Sequence, residues 1–166
     1  DAGVRSHGRH ERHPLFLATA RPSRSEDEAR TTLVEAPPEL AAVGRAIAAG
    51  VAAGAPDAGA GDFVAQAVRA LLGASRPLIV SGSTLGDADV VGAARAVVEA
   101  LAAAPGERDV ACLMVAREAD AFGVALLDDG RGPSLDAVLA RAERGGVDTL
   151  LVLENDLLRR ASPARV

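Results

Sequence analysis

At 166 residues the chain has the length of one domain. It is 49% hydrophobic and 25% charged, with 3 Phe and no Trp or Tyr; its core must be built from Ala, Val and Leu, and it lacks the aromatic platforms that bind single-stranded nucleic acid or carbohydrate. The net charge of −5, with every basic residue an Arg and no basic cluster, excludes nucleic acid and anionic membrane surfaces as partners.

The chain opens on Asp1-Ala2-Gly3-Val4-Arg5, with neither a signal peptide nor an initiator Met, as expected of a fragment or a processed chain. Residues 1–36 are polar and broken up, apart from Pro14-Leu15-Phe16-Leu17-Ala18, and read as a linker or docking arm. Residues 37–166 read as one α/β domain. Pro37-Pro38 opens a helix whose apolar stripe is Leu40, Val43, Ile47 and Val51, ending near Gly54. Asp62 is placed to cap a second helix, carrying Phe63, Val64, Val68, Leu71 and Leu72 and stopped at Gly73. Pro77-Leu78-Ile79-Val80 predicts a short buried strand, and Ser81-Gly82-Ser83-Thr84-Leu85-Gly86 a glycine-bearing turn. Asp87 caps the next helix, striped with Val90, Val91, Ala94, Val97, Val98 and Leu101 and ended by Pro105-Gly106. Val110 to Val115 predicts a second strand, with Cys112 as a core thiol within it. A loop runs through Ala121-Phe122-Gly123 and the exposed turn Asp128-Asp129-Gly130. Ser134 caps a helix bearing Leu135, Val138, Leu139 and Ala142, closed by Gly145-Gly146. Thr149-Leu150-Leu151-Val152-Leu153 predicts a third strand.

Strands of continuous apolar residues alternating with helices indicate a parallel, three-layer α/β sheet joined by right-handed crossovers. Three strands are few for a doubly wound sheet. Further strands are expected outside this sequence, or the first segment completes the sheet. No apolar run approaches the ~20 residues needed to span a bilayer.

Loops after the carboxyl ends of parallel strands are where such folds bind ligands. The Ser81–Asp87 turn can present backbone N–H groups and hydroxyls to a phosphate. It is neither a Walker sequence, since no Lys follows the glycines, nor G-x-G-x-x-G, and Asp87 repels a phosphate while serving as a cap. Glu154-Asn155-Asp156 can bind a metal or act as acid and base; the competing reading is that Asn155 or Asp156 caps a short helix, with Arg159 and Arg160 pairing the acids. His7, His10 and His13 sit among Gly8 and Pro14, which deny them a rigid metal-binding scaffold. No Ser lies in a G-x-S-x-G context, and no His lies within residues 37–166 to act as a base. No catalytic residue is therefore assigned. One cysteine forms no internal disulfide or four-cysteine site, which fits a reducing compartment.

Arg76-Pro77-Leu78-Ile79-Val80-Ser81-Gly82-Ser83, followed by Leu85-Gly86-Asp87, resembles the strand and turn of the molybdopterin oxidoreductase superfamily. Val115 to Gly123 is similar to that superfamily's strand and "ANSMG"-type loop, with Asp120-Ala121-Phe122 where a polar Asn-Ser pair is usual. Asp148-Thr149-Leu150-Leu151-Val152-Leu153-Glu154-Asn155-Asp156-Leu157, continuing to Arg160-Ala161-Ser162, resembles the large iron–sulfur subunit, the G-subunit, of bacterial NADH:quinone oxidoreductase (respiratory complex I), as does His13-Pro14-Leu15-Phe16-Leu17-Ala18-Thr19.

This resemblance implies a parent subunit whose N-terminal part carries iron–sulfur clusters passing electrons from NADH towards quinone. It implies no cofactor in this stretch, because only Cys112 is present. Ser81, Gly82 and Ser83 map beside the old pterin cleft, as a vestigial cofactor-side loop. The implied partners are the rest of the same subunit and other subunits of the peripheral arm, on the cytoplasmic side of the bacterial inner membrane, without membrane insertion. The implied role is scaffolding. The alternatives are a pterin-binding domain of a molybdenum or tungsten oxidoreductase and a free-standing nucleotide- or phosphate-binding module.

Overall fold

The computed structural model describes residues 13–118, 121–153 and 156–165, with the backbone alone at position 122. The chain divides into two compact units, Asp1–Ala119 and Asp120–Val166. The first contains two strands where composition predicts only an arm: β1 (Phe16–Thr19) and β2 (Thr31–Val34). They pair in parallel, with Phe16 opposite Thr31 and Thr19 opposite Val34. Strands of four residues are too short to show a period, which hides them in the sequence. Between them a 3-10 turn at Arg24–Glu28 is fixed by reciprocal caps: Ser23 Oγ accepts from Ser25 N–H, and Ser23 N–H donates to Glu26 Oε1 at 2.7 Å.

Pro37 and Pro38 occupy the first turn of α1 (Pro37–Ala53), where a missing N–H costs nothing. Gly54 ends the helix in the left-handed region at φ 75°. This helix packs against α2 (Asp62–Gly73) and α3 (Ala88–Ala103), and two glycines let it come close. A Cβ added at Gly44 would lie 2.8 Å from Ala93 Cβ, and one at Gly50 would lie 2.8 Å from Val68 Cγ2. Between the three helices sit Ala48, Val51, Val64, Val68, Val97 and Leu101. Val51, Val68 and Leu101 are fully buried, each stabilising the fold by roughly 1.5–3 kcal/mol. A core of small residues is thus possible because the helix backbones approach each other. Phe16 stands edge-on to Phe63, ring centroids 6.0 Å apart, and Thr31 Oγ1 donates to Gln66 Oε1, so the first strand pair is tied to α2.

The helix ends follow their predicted caps in part. Asp87 accepts from Asp89 N–H at 2.8 Å and from Val90 N–H at 3.4 Å, and so caps α3. Asp62 does not cap α2: it is the first helical residue, after Gly61. There its carboxylate acts on the helix dipole alone. Gly73 lies inside the last turn of α2, and Ala74 ends it in extended conformation.

β3 (Leu78–Gly82) and β4 (Ala111–Val115) pair in parallel through the α3 crossover, with Leu78 opposite Ala111 and Gly82 opposite Val115. The expectation that both are buried is corrected. All five residues of β4 are exposed, Cys112 included, so that thiol is a surface group rather than a core one. Ile79 alone among the large apolar side chains of the pair packs against the helical core. Leu78, Val80, Leu113 and Val115 point to one face by the two-residue alternation, and they are 47–57% exposed. Helix α3 packs against β3 on the Ile79 side, while Cys112 and Met114 on that side of β4, and the whole opposite face, stay open.

In the second unit, α4 (Ala121–Leu127) occupies a stretch where the sequence predicts a loop. α5 (Leu135–Glu143) is capped by Ser134, whose Oγ accepts from Ala137 N–H at 3.2 Å. Gly145 at φ 72° and the Gly146 N–H bond to Arg141 O close it. Asp128-Asp129-Gly130 is the expected turn, with Gly130 N–H donating to Asp128 Oδ1. The third predicted strand does not form: residues 149–153 are irregular and exposed, Leu151 by 78% and Leu153 by 75%. A strand needs a neighbour for its N–H and C=O groups, and this unit contains none among the described residues. Arg165 closes the unit instead, bonding Asp136 Oδ1 and Glu143 Oε1, both at 2.8 Å, at opposite ends of α5.

Candidate functional site

The end of β3 and the turn after it hold every residue assigned to a cofactor-side loop. Ser81 and Gly82 are the last two residues of the strand, and Ser83 begins a 3-10 turn through Leu85. Gly82 is extended, at φ 176°, so its lack of a side chain serves close approach rather than an unusual backbone. A Cβ there would lie 2.1 Å from the carbonyl oxygen of Val115. Ser83 Oγ accepts the Arg117 N–H at 3.0 Å, fastening the end of β4 to the turn. Gly86, at φ 69°, turns the chain into Asp87.

These groups serve the protein's own backbone. The first N–H groups of α3, which would draw a phosphate, are met by the Asp87 carboxylate. That negative charge opposes an anionic group at the same place. The donor set therefore does not fit the phosphate of a nucleotide or a pterin cofactor, although the turn lies where α/β folds bind them. A four-cysteine iron–sulfur site is likewise not met, because the sequence has one cysteine.

The remaining candidates do not converge. Cys112 belongs to no metal-binding cluster: no three His, Cys, Asp or Glu among the described residues gather to hold an ion. His13, Asp27, Glu28 and Arg30 line a shallow surface depression, all four exposed. His7, His10, Glu154 and Asn155 lie outside the described residues. Asp156, from the same acidic cluster, accepts from Leu158 N–H at 3.0 Å and caps the turn Leu157–Arg159, the capping alternative read from the sequence.

Sequence reasoning passed over Arg108. Its guanidinium donates to Leu72 O at 2.7 Å and to Ala104 O and Pro105 O, so one cation joins the carboxyl ends of α2 and α3. Its position beyond Pro105-Gly106 is the sole signal in the sequence: a cation just past a helix end.

Comparison with known proteins shows what this sequence is similar to. No family model matches the chain. The NADH-quinone oxidoreductase G-subunit of Pseudomonas fluorescens is 35% identical over 171 aligned positions, taking in 100% of this chain. Its counterpart in Pseudomonas putida is 36% identical over all of the chain, and that of Escherichia coli K12 is 35% identical over 99% of it. Along its whole length this chain is homologous to a stretch of the NADH-quinone oxidoreductase G-subunit. It spans 18% of the length of those relatives. The G-subunit resemblance read from His13–Thr19 and Asp148–Ser162 thus extends along these relatives over the whole sequence. Among the described residues no helix is long and apolar enough to cross a membrane.

Proposed function

We propose that this chain is a scaffold domain of the large iron–sulfur subunit of an NADH:quinone oxidoreductase. The parent complex passes electrons from NADH through iron–sulfur clusters to quinone, and this stretch carries no cofactor of its own. Its partners are the rest of the same subunit and neighbouring subunits of the peripheral arm, on the cytoplasmic side of the bacterial inner membrane. The observation that carries the reading is similarity to the G-subunit relatives along the whole chain. Two features support the scaffold part of it. In the Ser81–Asp87 turn, the Ser83 hydroxyl and the Asp87 carboxylate are spent on internal bonds. The apolar faces at Leu78, Val80, Leu113 and Val115 and at Leu150–Leu153 are open, as surfaces that pack against other protein are.

The test is the double substitution Val80→Asp and Leu113→Asp in the full-length subunit within its complex. The expected result is loss of the assembled complex and of membrane NADH:quinone activity, with the subunit's iron content and cluster signals retained. Assembly at the native level with normal activity would overturn the scaffold reading. Normal assembly with lost activity would overturn it too, by giving the stretch a part in the chemistry.

A further inference from the structure

We draw no further inference here: the strongest candidate, the open apolar face of the β3–β4 sheet at Leu78, Val80, Leu113 and Val115, carries nothing because nothing in the structure shows what covers it.

Discussion

Single atoms decide how closely this protein's backbones can approach, and glycine is where that is measurable. Gly44 and Gly92 are both helical, yet their surroundings differ. An added Cβ at Gly44 meets Ala93 Cβ at 2.8 Å, while at Gly92 it meets nothing within 4 Å. Gly92→Ala is expected to stabilise the chain by about 0.5–1 kcal/mol, through helix propensity. Gly44→Ala is expected to destabilise it by about 1–3 kcal/mol, through overpacking between α1 and α3. Urea midpoints of the two variants should move in opposite directions. Arg108 presents the other residue-scale case. Arg108→Met keeps much of the apolar stem but leaves the carbonyls of Leu72, Ala104 and Pro105 without their donor. A loss of about 1–3 kcal/mol is expected, smaller for Arg108→Lys, and equilibrium unfolding measures both.

Each element is as stable as its ends and its covered face. Removing the α3 cap with Asp87→Ala should cost about 1 kcal/mol. The same substitution removes the charge that opposes an anion, so it also probes the turn: phosphate should raise the melting temperature of neither form. Stabilisation of the native form by millimolar phosphate would show a site that the donor set argues against. Helices were the most legible elements, because Leu40, Val43, Ile47 and Val51 keep their period over a long stretch and Gly54 marks the stop. Capping was legible at Asp87 and Ser134 and misleading at Asp62, where the helix begins one residue earlier than the cap requires. Strand type was readable in Leu78–Val80 and Val110–Val115, but their burial was not. A continuous apolar run states that a strand is to be covered, and the cover is a property of other chain segments. Thr149–Leu153 makes the same point, since its pairing partner is not encoded in the run itself. The Ser81–Ser83 turn was found at the end of its strand, whereas its internal bonding depends on Arg117 and Val115 far along the sequence. Cys112 gives a direct check of the open sheet: a disulfide reagent should label it in the folded chain at a rate near that of a free thiol. Protection comparable to the unfolding rate would mean β4 is covered.

At the scale of the molecule, the smaller unit pairs a buried side chain, Leu139, with an exposed charge cluster at Arg165. Hydrogen bonds donated to Glu143 first, and to Asp136 second, raise the Arg165 guanidinium above the ordinary arginine value. A raised folded-state value means stability fully present below the ordinary value and lost only as pH rises through the folded one. Between pH 6 and 9 the arginine side of this pair should contribute no pH dependence. Salt should weaken it instead, and Arg165→Gln should speed proteolysis within 120–166 while leaving the first unit's protection unchanged. The proposed scaffold, a cofactor-free domain within a larger polypeptide that would carry iron–sulfur clusters, reaches beyond both units. It is tested most directly by elemental analysis of the full-length parent protein, together with fluorescence detection of oxidised pterin. Iron without molybdenum, tungsten or pterin is the predicted result; pterin with either metal would contradict the account and return the Ser81–Ser83 turn to cofactor binding.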